Sequence, residues 1–249
     1  MSFHNYLAWK RDSLAAAIPG VNHMKTLAIR LLVCLWCANA GLLNAYEYDP
    51  DNADEINEVC AGCHGEFGQG GKEGEYPRLA GQPVDFLVQQ LHLFRDRKRP
   101  NLAMVEYIDE RQMPDNDIQD ISRFLNAITL RTKLPPANMD DPDFDAYARL
   151  LESKQLMQIP RQEGDPVKGE KTFRKECASC HGKTGEGSHK KAVPMLAGQY
   201  TSYLWRQVDK YRRKIRIHDP SDPEEDELLN DFTDEELQDI FAWLSITDD

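Results

Sequence analysis

Two five-residue runs in this chain of 249 residues hold the side chains with the most evident chemistry: Cys60-Ala61-Gly62-Cys63-His64 and Cys177-Ala178-Ser179-Cys180-His181. Thiols three positions apart lie on the same side of a helical turn, and the next residue projects beside them. That spacing lets Cys60 with Cys63, and Cys177 with Cys180, form thioether bonds to the two vinyl groups of a haem. His64 and His181 then stand as proximal iron ligands. Three rival chemistries fit less well. A zinc site wants four converging ligands, whereas each motif sits in its own repeated surroundings. A thioredoxin-like thiol pair wants a βαβ frame, and no strand pattern is present. A structural disulfide gives no role to the histidine that follows.

A third pair, Cys34 and Cys37, is not followed by histidine. It lies in MKTLAIRLLVCLWCANAGLLNA, from Met24, where Lys25 and Arg30 accompany an apolar run and small residues follow at Ala38, Ala40 and Ala45. This is the pattern of a secretory signal. Cleavage is expected after Ala40, with Ala45 as the other position, and residues 1–23 read as an upstream extension. An uncleaved anchor is the alternative, but the run is short for a membrane span of roughly 20 residues and Arg30 interrupts it. Loss of residues 1–45 removes four basic residues and one acidic, which takes the net charge from −12 to −15.

The rest of the chain is one unit written twice. CAGCHGEFGQGG, YPRLAGQPVDFLVQQLHLFRDRKRP and PDNDIQDISRFLNAI have counterparts in CASCHGKTGEGS, VPMLAGQYTSYLWRQVDKYRRKIRI and TDEELQDIFAWLSI. Cys177 follows Cys60, and Gly198 follows Gly81, by 117 positions; Asp239 follows Asp120 by 119, so the second unit gains two residues between about 216 and 234. We read a domain over 46–130, a linker over 131–163 and a second domain over 164–249. Pro135, Pro136, Pro142 and Pro160 mark the linker, and DFDAYARLLESKQLMQ within it reads as a short helix.

Each unit needs three helices to position its motif. A short one enters C-x-x-C-H, with Ile56, Val59 and Cys60 on its apolar face. A longer one carries Phe86, Leu87, Gln90, Leu91 and Phe94, or Tyr203, Leu204, Gln207, Val208 and Tyr211, in a single stripe. A last helix closes the unit; in the second it starts at a Thr233–Glu236 capping box and buries Leu237, Ile240, Phe241 and Leu244. The expected fold is all-α: two tandem domains, each wrapped around one covalent haem.

The sixth iron ligand differs between the units. In the first, Met104 and Met113 are candidates. Met104, in the irregular stretch between the main helices, is preferred, and Met113 is expected to pack in the core. In the second, no methionine follows Met195, which reads as packing. His218 is the preferred ligand; an open site, Met195 or a ligand from elsewhere are the alternatives. His189 lies in a polar loop, and His92 sits among aliphatic residues as a helix-packing side chain. Arg99 and Arg216, 117 residues apart, end two basic runs. They read equally as bidentate partners of haem propionates and as solvated cations at helix ends.

The balance of 30 basic against 42 acidic residues disfavours nucleic-acid partners. No stretch after residue 45 reads as a membrane span, so membrane contact is expected only if the N-terminal segment stays attached.

Taken together, CHG, P-x-L-A-G-Q, the Q-L-x-x-F/Y-R helix and the D-x-x-D-I helix, twice over, resemble the di-haem class I cytochromes of the c-four type. The haem subunits of sulfide-oxidising flavocytochromes are similar. The resemblance covers nearly all of 54–130 and 166–247. It implies two packed class I cytochrome c domains, an exported periplasmic electron carrier and His/Met ligation in both units. Met104 falls where the family's first methionine is expected; Ser221 stands at the second position, which motivates His218. The partners implied are other redox proteins, such as cytochromes, an oxidase or a dehydrogenase. Two further functions are carried: the haem subunit of a larger oxidoreductase, such as a sulfide or other sulfur- or nitrogen-compound dehydrogenase, with the catalytic centre on another polypeptide, and an enzyme acting through an open second haem.

Overall fold

The computed structural model of the chain describes residues 46–217 and 225–247. The chain divides into Met1–Glu47 and Tyr48–Asp249. Nearly all of the first part, with the signal-like run, Cys34 and Cys37, lies outside the described residues, and so does His218.

Helices carry the described part: α1 (Pro50–His64), α2 (Val84–Arg95), α3 (Leu102–Arg111), α4 (Asp115–Ala127), α5 (Ala146–Ser153), α6 (Pro166–Glu176), α7 (Ala178–His181), α8 (Thr201–Arg212) and α9 (Asp234–Leu244). Among the described residues there is no strand, only isolated bridges such as Gly71–Tyr76 and its counterpart Ser188–Val193. The fold is all-α. No described helix is long and apolar enough to cross a membrane.

Local chemistry sets the helix ends. Asp49 and Asp165 cap α1 and α6 by accepting from the second and third backbone amides that follow them, with proline at each first turn. Thr233 and Glu236 form the capping box at the start of α9. Met104 differs from expectation: it lies in α3 rather than in irregular chain, because Asn101 caps that helix by accepting from the Met104 amide at 3.5 Å.

Each half closes its first helix on its last. In the first, α1 packs on α4, and the Asp49 amide donates to Asp120 Oδ1 at 2.9 Å. In the second, α6 packs on α9, and the Asp165 amide donates to Asp239 Oδ1 at 2.7 Å. The approach at Gly169 is so close that a Cβ there would lie 1.9 Å from the Asp239 carbonyl oxygen. Ile56, Leu87, Phe94, Ile118 and Ile121 are buried in one core; Phe173, Leu204, Leu237, Ile240 and Leu244 in the other. Val59 departs from its expected inward place and is 44% exposed. A smaller cluster of Ala80, Leu130 and Met157 ties the ends of the linker down, with the Arg131 amide donating to the Gln155 carbonyl and the Met157 amide to the Arg131 carbonyl.

The halves meet by reciprocal bonds. The Arg78 amide donates to Gln199 Oε1 at 3.0 Å, and Gln199 Nε2 donates to the Arg78 carbonyl at 2.9 Å. Met195 and Gln82 repeat the exchange, at 3.0 and 2.9 Å. Arg78 and Met195, and Gln82 and Gln199, are equivalent positions 117 residues apart, so the two exchanges give the interface approximate two-fold symmetry.

Candidate haem sites

Both C-x-x-C-H motifs line one cavity of 540 Å3 that runs through the two halves. Cys60, Cys63 and His64 lie on the last turn of α1. In the second half α6 stops at Glu176, and Cys177 caps the short α7, which holds Cys180 and His181. Gly65 and Gly182 end these helices at φ 80° and 81°. The four thiols are unbridged. Burial pushes the Cys177 thiol up to about 11, with the Glu176 and Cys180 charges acting in the same direction, so it is protonated at neutral pH.

Each histidine is held by a backbone carbonyl. His64 Nδ1 lies 3.0 Å from the Pro77 oxygen, and His181 Nδ1 lies 3.0 Å from the Pro194 oxygen, 117 residues on. A carbonyl accepts only, so each Nδ1 carries the proton, and Nε2 is the nitrogen with the lone pair. His64 is 8% exposed. Burial holds its pKa below the ordinary histidine value, against the opposing Pro77 bond. A neutral imidazole with Nε2 basic is the form that binds iron.

The loops after the motifs are shaped by glycine. A Cβ on Gly70 would lie 2.6 Å from the Tyr76 oxygen, and one on Gly187 would lie 2.7 Å from the Val193 oxygen. Both glycines take left-handed φ, 78° each. These tight turns bring the Pro77 and Pro194 carbonyls back over the histidines.

Met104 lines the cavity and packs on the first core, half-buried. Met113 also lines it, but is 6% exposed and belongs to that core. Met195 is 5% exposed and lines the cavity beside the interface. His92 lies on α2, with Nε2 3.4 Å from Asp115 Oδ1, and is not among the cavity residues. Arg99 and Arg216 both line the cavity, where they lie together with Gln90 and Gln207. Sequence reasoning placed the thiols, the imidazoles and the arginines. It missed Pro77, Pro194, Gln82, Gln199 and the bonding roles of Gln90 and Gln207. All recur at the interval of 117, which marks them as equivalent pairs but does not report what they touch.

The residues fit a covalent haem in each half, since paired thiols, an imidazole held at Nδ1 by a carbonyl, an apolar wall and buried cations all face one cavity. The cytochrome c family profile matches residues 53–129 and 166–247. Among related proteins, the thiosulfate dehydrogenase electron acceptor of Thiomonas intermedia is 30% identical over 75% of this chain and 77% of its own. Cytochrome c4 of Pseudomonas aeruginosa is 28% identical over 65% of this chain and 70% of its own. Reduced cytochrome c4 from Pseudomonas stutzeri has the same fold, with a TM-score of 0.59 and 20% identity over 80% of this chain and 98% of its own. The thiosulfate dehydrogenase TsdBA of Marichromatium purpuratum matches with a TM-score of 0.53 and 25% identity over 80% of this chain but 40% of its own. Paired motifs, paired carbonyl-held histidines and a profile that matches both halves agree: the chain belongs to the cytochrome c family, as a di-haem electron-transfer member similar to cytochrome c4 that binds one haem c covalently in each half.

Proposed function

We propose that this protein is an exported, periplasmic electron carrier with two haems of unequal ligation. The observation that carries the reading is the pair of equal Nδ1–carbonyl contacts at His64 and His181, which fix the same tautomer in two halves that share one cavity. Cys60 and Cys63 hold the first haem, and Cys177 and Cys180 the second. His64 and His181 are the proximal ligands. When bound, each haem iron changes between ferric and ferrous and so stores one electron. The chain's task is to hold the rings, keep water from the iron and set the two potentials.

Met104 is the distal ligand of the first iron; its place on the cavity wall beside the first core supports this. Asn101 supports it indirectly, by anchoring the turn of α3 on which Met104 lies. His218 is the distal ligand of the second. Thioether ligation raises a haem potential relative to imidazole, so electrons rest preferentially on the first haem. Arg99 and Arg216 receive propionates. Residues 1–45 are the export segment, 46–130 and 164–249 the two domains, and 131–163 the connection between them.

The test is a low-temperature electron paramagnetic resonance spectrum of the oxidised holoprotein beside a His218→Ala variant. Two low-spin signals, one turning high-spin in the variant, are expected. A high-spin signal already present and unchanged by the substitution sinks His218 as a ligand and favours an enzyme with an open second haem.

A second reading concerns the partner. Two relatives are named thiosulfate dehydrogenase electron acceptors, at 29% and 30% identity. They favour a sulfur-compound dehydrogenase as the electron donor. Mixing the oxidised protein with such a dehydrogenase and its substrate should bleach the ferric bands at a rate that scales with enzyme. No reduction above the enzyme-free control removes this reading.

A further inference from the structure

At the interface Gln90, Arg99, Gln207 and Arg216 form a closed ring of hydrogen bonds. Gln90 Oε1 accepts from Arg99 Nη1 at 2.9 Å and from Arg216 Nη2 at 3.1 Å. Gln207 Oε1 accepts from Arg216 Nη1 at 2.7 Å and from Arg99 Nη2 at 3.3 Å. Each guanidinium thus bonds one glutamine of its own half and one of the other. Gln90, Gln207 and Arg216 are 8%, 7% and 7% exposed. Phe94 lies 4.5 Å from the Arg99 guanidinium carbon, and Tyr211 lies 4.8 Å from that of Arg216. Left-handed residues at Arg97 and Lys214 fold the chain back at both sites, again 117 positions apart.

Two like charges held together away from water are costly unless an anion joins them. The ring itself supplies none: its acceptors are neutral amide oxygens, together with the Tyr203 hydroxyl at 3.1 Å from Arg99 Nη2. Among the described residues neither guanidinium pairs with a carboxylate. Burial, then Arg216, draws Arg99 below its ordinary value. Burial, then Arg99, does the same to Lys210. The surplus is therefore positive, and it faces the cavity that carries both motifs. A guanidinium has five N–H donors in a fork suited to carboxylates, and the bonds of the ring leave donors on both. The carboxylates that two bound haems bring to this cavity are their propionates.

We propose that Arg99 and Arg216 act as one shared positive element, electrostatically coupled to both haems, so that removing either charge alters the potentials of the two together. The ring ties each arginine to a glutamine of both halves, and Arg99 donates also to the Tyr203 hydroxyl of the second half, so neither guanidinium is held by its own half alone. This rests on the two-haem reading. A positive charge favours the electron-loaded iron, so the residues are positioning groups that raise both potentials.

The test is a redox titration of the holoprotein, followed in the visible bands, for the wild type, Arg99→Gln, Arg216→Gln and Gln90→Glu. Mass spectrometry first confirms two attached haems in each; a wild-type chain that carries none or one defeats the underlying reading instead. Both potentials are expected to fall by comparable amounts in either arginine variant. Gln90→Glu, nearly isosteric and in contact with both guanidinia, should lower both as well, and it serves if an arginine variant fails to fold. Arg99→Lys, which keeps the charge, should restore most of the loss. A fall confined to the haem of the substituted half, or no fall in any variant, overturns the proposal.

Discussion

His64 and His181 share one contact, a proline carbonyl at 3.0 Å, and differ, under the ligation proposed above, in the ligand opposite. Removing Met104 tests that difference. Met104→Ala should lower the potential of one haem only and abolish any iron–sulfur absorption band, while the second haem is unchanged; a spectroelectrochemical titration reads both. Gly169 makes a stricter demand. A side chain there meets the Asp239 backbone at 1.9 Å, so Gly169→Ala should cost about 1–3 kcal/mol through overpacking. At roughly 4–8 °C per kcal/mol for a domain of this size, the loss should be plain in thermal melts. The chemistry-bearing residues were legible because C-x-x-C-H is local: five adjacent letters carry thiols and ligand. The carbonyls of Pro77 and Pro194 were not, since a carbonyl belongs to every residue and only the glycine turn decides which one comes back to the histidine. Gln82 and Gln199 were hidden for the same reason. Their partners lie 113 and 121 residues away, and no periodicity reports a contact that distant.

Helices were more legible than their ends. The stripes on α2 and α8 and the Thr233–Glu236 box follow from the periods and caps of the sequence. α3 did not, because its stretch has no clear stripe and its start depends on the Asn101 side chain. Nor did the break between α6 and α7, where α1 runs through unbroken. The capping box carries a pH prediction. Bonds from the Thr233 amide and hydroxyl hold the Glu236 carboxyl below its ordinary 4.5. A carboxylate depressed in the folded state contributes stability that is present above its unfolded value and lost as pH falls through the folded one. Denaturant unfolding of Glu236→Gln should therefore match the wild type in strongly acidic solution and fall below it as pH rises up to the ordinary glutamate value of 4.5, with a constant gap above. Parallel curves throughout would remove the box from the acid response.

Across the molecule the two halves share a fold but not a charge. α1 brings Asp51, Asp54, Glu55 and Glu58 to the first motif with no basic residue among them; α6 brings Lys168, Lys171, Arg174 and Lys175, against Glu170 and Glu176, to the second. Most of these side chains are exposed, and several pair locally, as Arg174 does with Glu170. Charged surfaces steer encounter and are screened by salt. A small basic redox partner should thus exchange electrons faster at low ionic strength. Charge reversal at Asp54 and Glu58 should slow it, while reversal at Lys171 and Lys175 should not; stopped-flow rates across a salt series separate the two. The tandem organisation was readable from the repeat, but the way the copies face one another was not, since a repeat fixes what each copy looks like and not the surface they share. That surface has its own implication. Gln82 grips the Met195 backbone as Gln199 grips that of Arg78. Each half therefore offers both a hook and the eye that receives it. A one-haem unit with the same hook and eye would have all it needs to clasp its own twin, and a connector that joins the two turns a partnership that depends on concentration into one that survives any dilution.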